Sequence, residues 1–438
     1  MCGGAVALDV QNWTGDQKYC GRMSHRRLED LDHGELATLV REYLLAGHLI
    51  DRAGMPVVTE RGLDVMRDVA IDEWMGASPI YTKRMQRLLG YEGDTVETCL
   101  KGMQLDIGAP PEFMDFRMRV IDDHHGEFHL DHCGALMDVE PMGEDFVVAM
   151  CHHIEDPTFD ATGWATNPRL RMRPVHRPPR APVDRHPHCA WTVVIDDAVE
   201  ATEEPEQAQR MGRSLLAQLP LAAIAPGDTD EPGMADYAGP LDPDLRMADF
   251  APATLHAMAD EICLQAHLLV MSFGLAVEDR ATTEDAVDAV VRQFTGVAGV
   301  TATRLRDALG LGNTNTNTTT NTNTTTAADV ATVFALHPAF HPRRYVGWEV
   351  TVEGDEVHLS LGEGPGRDER GFVSWITTLV DGHDRALSAI AAGVDPHWQV
   401  TADGRDHWVV SRGDEPLDEL TEVTLTKFST GATHVFIR

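Results

Sequence analysis

Between Glu35 and Gly54 the apolar or small residues Leu36, Leu39, Val40, Tyr43, Leu44, Gly47 and Ile50 recur at three- and four-residue steps. That is the spacing of one buried helix face. The pattern returns at an offset of 219 (267 − 48) in Leu255, Met258, Ala259, Ile262, Cys263, Ala266 and Leu269, with His267 in the place of His48. Trp74-Met75-Gly76 then answers to Phe294-Thr295-Gly296, and Arg84-Met85 through Gly90 to Arg304-Leu305 through Gly310. Beyond the Asn/Thr tract 313–326 the offset grows, with Phe113 and Phe116 answering to Tyr345 and Trp348. The tract therefore reads as a low-complexity insertion in a surface loop.

Downstream of each helical stretch the period changes. Alternation in 127–133 and 189–195 predicts strands with one buried face, with further strands over 116–122 and 169–175 and a helix near 147–166. Glu127-Phe128-His129-Leu130 resembles Glu356-Val357-His358-Leu359, and Phe146-Val147 resembles Phe372-Val373. The strand that opens at Cys189 is matched to the stretch Val423 to Phe428. The expected fold is α+β, a tandem duplication of a helical segment followed by a short antiparallel sheet with helices on one face. The units are an N-terminal extension 1–32, a first repeat 33–200, a linker 201–252 and a second repeat 253–438. A helix is expected over 206–221, and an acidic Pro/Gly stretch from Pro226 to Pro243 reads as linker.

Composition narrows the classes. With 438 residues, 43% of them hydrophobic, the chain can fill two ordinary cores. Apolar runs are broken before the ~20 residues a bilayer requires, and the first residues lack the basic flank of a signal peptide. No membrane partner is expected, and the cytoplasm is the expected compartment. Seven cysteines at irregular spacing do not form a disulfide framework. A net charge of −34 opposes binding to phosphates, and the arginines between Arg169 and Arg180 fall on a strand running into a loop, so no nucleic-acid partner is expected.

The chemistry concentrates in the first repeat. The second repeat loses the cysteines and histidines of the set His132, Cys133, Cys151, His152 and Cys189: Leu361 answers to His132, Gly362 to Cys133 and Thr377-Thr378 to Cys151-His152. A polar set present in one copy and absent from the other is not needed to make the fold. Strand and helix phase turn His132, Cys151 and Cys189 to one side of the sheet, with Cys133 at a strand end and His152 or Glu155 at the rim. Such a set suits a zinc-like divalent metal held by His132, Cys151 and Cys189. It equally suits a thiol nucleophile among Cys133, Cys151 and Cys189 with His152 or Glu155 as its base. Buried cysteine packed as a small hydrophobe is the alternative. His48 and His267, being shared, read as packing residues, and the adjacent acids Asp72-Glu73 read as a solvated helix face.

The run 116–195 carries a cysteine closing a strand (Cys133), a second followed by acids (Cys151-His152-His153-Ile154-Glu155-Asp156), the helix end Asn167-Pro168-Arg169 and a third cysteine leading a late strand (Cys189). It resembles the L-2-amino-thiazoline-4-carboxylic acid hydrolase-like family and the related vinyl-reductase-type small-molecule-binding domains. The resemblance implies a hydrolase that opens a small heterocycle or amide, or a thiol-rich ligand or metal site, at Cys133, Cys151 and Cys189. The expected function is a thiol- or metal-dependent hydrolase of a small molecule, with one site in the first repeat. A non-enzymatic ligand- or metal-binding protein using the same pocket is the alternative.

Overall fold

The computed structural model describes residues 25–226, 232–312, 325–418 and 420. The first helix, α1 (His33–Thr59), starts at a reciprocal cap in which Asp32 accepts the Glu35 amide at 2.9 Å and Glu35 accepts the Asp32 amide at 3.1 Å. Gly62, at φ 113°, makes the turn into α2 (Leu63–Leu88), a conformation that side-chain-bearing residues avoid. Thr95 caps α3 (Val96–Gln104).

A four-stranded antiparallel sheet follows, made of β1 (Met114–Asp122), β2 (His125–Cys133), β3 (Leu170–His176) and β4 (Cys189–Ile195) in the order β1-β2-β4-β3. Between β2 and β3 lie α4 (Gly134–Val139), α5 (Glu144–Val148), a single π-helical turn (Ala149–Ile154) and α6 (Glu155–Trp164). One sheet face is packed with Phe128, Leu130, Met172, Trp191 and Val193 beneath the residues of α3, α4 and the π turn. The other face carries polar pairs such as Arg119 with Glu127, at 2.8 Å.

The chain then runs through α7 (Glu206–Met211) to the second half. Here α8 (Pro252–Glu278), α9 (Thr283–Ala308) and α10 (Ala327–Leu336) precede β5 (Trp348–Glu353) and β6 (Glu356–Leu361). After them come α11 (Trp375–Val380), α12 (Arg385–Val394), β7 (Trp398–Ala402) and β8 (His407–Arg412). This sheet is also antiparallel, in the order β5-β6-β8-β7. The fold is therefore α+β with two small four-stranded antiparallel sheets.

The long helices pack across the two halves: α2 runs along α8, and α1 along α8 and α9. Arg84 of α2 forks onto Glu261 of α8 at 2.7 and 2.9 Å, while Arg304 of α9 reaches Glu42 of α1 at 2.7 Å. By length and composition α8 could cross a membrane, but 94% of its apolar window is buried inside the fold.

Two expectations need correction. The helix expected over 206–221 ends at Met211, because Glu369 draws the amides of Leu215 and Leu216 onto its carboxylate and the Ser214 hydroxyl accepts the Ala217 amide. The described part of the acidic Pro/Gly stretch is no free linker: Lys101 bonds the Tyr237 carbonyl, and Tyr237 packs on Tyr91 and Phe250. In the second sheet β8 pairs with β6 as β4 pairs with β2 in the first, so that Trp408 stands opposite Leu359 and Cys189 opposite Leu130. Positions 423–428, most of the extension 1–32 and most of the Asn/Thr tract lie outside the described residues.

Candidate functional site

A cleft of about 710 Å³, solvent at its mouth included, opens in the first half. Four segments build it. From α1 come His48, Asp51 and Arg52; from α2, Trp74; from the turn after α3, Asp106 and Gly108; and from the π turn and α6, Met150, Ile154, Glu155, Thr158 and Phe159. Met114 and Phe116 of β1 and Ala135 of α4 add apolar wall. The π turn matters to this lining, because one wider turn shifts the register between α5 and α6 and so sets which side chains of α6 meet the cleft. Such turns recur at functional sites.

The polar wall has an internal order. Asp51, almost fully buried, is in contact with the Arg52 guanidinium through Oδ2 and accepts the Trp74 indole N–H on Oδ1 at 3.3 Å. Asp106 accepts the Tyr81 hydroxyl at 2.8 Å and the Gly108 amide at 2.7 Å. Burial nonetheless pushes its carboxyl up to about 6. Burial likewise pushes Glu155 up to about 8 against the pull of Arg177, and its Oε2 is withdrawn from solvent with no hydrogen-bond partner. Behind the wall, Glu73 is fully buried, neither of its oxygens is bonded, and burial raises it well above the usual carboxyl range despite Arg52 nearby. His48 is pushed well down by burial and stays neutral.

The structure brings the three expected thiols into one region, close enough for Cys133, Cys151, Cys189 and Glu155 to feel one another's charge. None of the three lines the cleft. Cys133 caps α4, accepting the Leu136 amide at 3.3 Å and facing the Met114 sulfur at 3.6 Å. Burial pushes its thiol up to about 12 and lifts Cys151 and Cys189 well above the ordinary value. Such thiols are not thiolates at neutral pH and are poor nucleophiles. His152 is turned away, its Nε2 2.7 Å from the Pro178 carbonyl oxygen. His132 neighbours His188, with ring centroids 6.4 Å apart. Among the described residues no group of three or more His, Cys, Asp or Glu side chains is arranged to hold a metal ion.

Of the expected site residues, Glu155 alone stands in the cleft wall. Asp51, Arg52, Trp74 and Asp106 were missed. A signal for two of them was present, because Asp51-Arg52 interrupts a helix whose second-half counterpart reads Val270-Met271. Glu73 also departs from expectation, lying in the interior rather than on a solvated face. No protein-family model, curated protein or solved structure matches the chain.

Proposed function

We propose that the chain is a duplicated helix-then-sheet unit whose first copy keeps a small-molecule site. In this reading the site hydrolyses a small heterocycle or amide by acid–base catalysis. The matched element order of the halves and the mirrored pairs Arg84–Glu261 and Arg304–Glu42 support the duplication, since reciprocal contacts are what a two-fold interface produces. The observation that carries the catalytic reading is Glu155, a carboxyl in the cleft wall with an oxygen that nothing in the protein satisfies.

Two carboxyls pushed apart in acidity divide the labour of hydrolysis. Near pH 7 Asp106 is ionised and takes a proton from water as the water oxygen bonds the carbonyl carbon. Glu155 is protonated and gives its proton to the leaving nitrogen as the C–N bond breaks, releasing a carboxylic acid and an amine. The thiols serve as apolar backing that keeps Glu155 dry. A non-catalytic ligand-binding protein is the second reading, favoured by the withdrawal of all three thiols from the cleft.

The test is ring opening of small cyclic amides, which carry the carbonyl carbon and the leaving nitrogen that this step requires. Turnover should follow a bell with limbs near 6 and 8, because it needs Asp106 ionised and Glu155 protonated. Glu155→Gln should lower kcat by about 100-fold or more. Unchanged turnover in that variant, or a loss confined to Cys151→Ser and Cys189→Ser, would return the chemistry to the thiols. Binding without turnover of any probe would leave the second reading.

A further inference from the structure

We propose that Arg52 binds the ligand's carbonyl or carboxylate oxygen through its Nε–H, and that Asp51 is the positioning residue that holds the guanidinium in place. The proposal rests on the cleft being the ligand site but not on any turnover there.

Arg52 lines the cleft with a side chain only 9% exposed, and its Nε is buried without an acceptor. An arginine Nε–H can only donate. A buried charged donor left unbonded is costly, and it becomes favourable when an acceptor arrives. A ligand ammonium could not serve, since it brings donors alone. Nη2 rests on Asp51, and the carboxyl groups of Asp138 and Glu73 lie near enough to favour the charge. Asp51 is itself fixed from the other side by the Trp74 indole. The fork is thus anchored at one edge and unpaired at Nε, a donor that an incoming oxygen would satisfy.

Glu155 Oε2 and the ring nitrogens of His48 are the other orphan polar atoms among the residues lining the cleft, and Cys133 lies close enough to Glu155 and Arg52 to feel each of their charges. When protonated, Glu155 is a second donor. Both residues line the same cleft, and an acceptor oxygen on a ligand is the partner that the Arg52 Nε–H lacks. At the positions that match Asp51-Arg52 the second half carries Val270-Met271, which offer a ligand no hydrogen-bond donor from their side chains.

The full chain, labelled with 15N-arginine, is titrated at pH 7 with benzamide, benzoate and benzylammonium while the arginine Nε–H resonances are followed. The resonance of Arg52, assigned through the backbone and by its loss in Arg52→Lys, should move with benzamide or benzoate and not with benzylammonium. Arg52→Lys keeps the charge but loses the Nε–H, and it should weaken binding of the responding probe at least about tenfold, the worth of one charged hydrogen bond. Asp51→Asn should weaken it less while shifting the same resonance in the free protein. A response to benzylammonium alone, an Arg52 resonance unmoved by all three probes, or equal affinity in a folded Arg52→Lys would overturn the proposal. Should Arg52→Lys fail to fold, the wild-type resonance decides. Probe binding at Arg52 without hydrolysis would leave this inference standing and remove the catalytic reading.

Discussion

At His48 and His267 the two halves place the same residue on the same helix face and surround it differently. His48 touches Phe113 with ring centroids 4.1 Å apart and faces the open cleft beyond. His267 meets Tyr345 at 5.4 Å and Trp375 at 5.5 Å, and Trp375 stacks on Phe294 at 4.7 Å with planes 12° apart. Where the first half has Asp51, Arg52 and Trp74, the second has Val270, Met271 and Phe294. Aromatic filling on one side and a polar-walled opening on the other teach that two similar helix-then-sheet arrangements can close or open the space beside the same histidine. Unsatisfied buried polar atoms occur in both halves, on His48 in the first and on His267 and Gln293 in the second, so the contrast lies in what fills the space beside the histidine.

The largest expected effect comes from emptying the filled side. Trp375→Ala removes a buried indole that bridges His267 and Phe294 and should cost about 3–5 kcal/mol in chemical denaturation. Trp74→Ala trims the wall of an existing opening and should cost about 1 kcal/mol while weakening ligand binding, because Asp51 loses the N–H that helps fix it. Equal costs for the two variants would mean that the cleft closes in solution and that the contrast between the halves is not real.

Next comes the mirrored pair of ion contacts. Glu261 holds the Arg84 fork, the Arg344 guanidinium at 2.8 Å and the Ala222 amide at 2.9 Å, all about a carboxylate only 1% exposed. Glu42 holds Arg304, which is 24% exposed, and a half-exposed Arg41. Removing one partner of a buried pair strands the other charge. Glu261→Gln should therefore cost about 3 kcal/mol, and Glu42→Gln about 1 kcal/mol because water can reach its partners. Thermal or urea unfolding of the two variants checks the ranking, and a reversed order would break the argument.

The sequence made the elements more legible than the site, for physical reasons. Strand β4 was readable to its ends, Cys189–Ile195, because a half-buried strand shows its period-two burial directly. The pairing of β8 with β6 was not, since alternation in 407–412 and in 423–428 looks alike and register with a distant strand decides between them. The π turn Ala149–Ile154 leaves no periodic trace, so the phase that put Cys151 on a site-facing stripe was unreliable, while Glu155 at the following turn reached the cleft. Asp51-Arg52 and Glu73 were passed over because charges on a long helix are read as solvent-facing. What surrounds them is distant in sequence: Trp74 meets Asp51, and Arg52 lies near Glu73, Cys133 and Asp138.

Glu73 gives the smallest and sharpest test, because the second half already contains its control. Gln293, at an offset of 220 (293 − 73), is likewise fully buried and donates Nε2–H to the Ile50 carbonyl at 3.3 Å. A protonated carboxyl resembles that amide in shape and can likewise donate one hydrogen bond; an ionised one can only accept. Burial raises Glu73 well above the ordinary carboxyl range, so the folded protein keeps it protonated where the unfolded chain ionises it. The stability this group supports is complete below the unfolded value of about 4.5 and is lost as pH rises toward its raised folded value. Glu73→Gln carries no such penalty. The variant should match wild type within about 1 kcal/mol at pH 4 and become the more stable of the two as pH rises. Urea midpoints at pH 4, 7 and 9 measure the divergence. Parallel curves would show that Glu73 titrates alike in both states, and a variant losing ground toward pH 9 would mean that the ionised carboxylate is bound by Arg52 rather than stranded beside it.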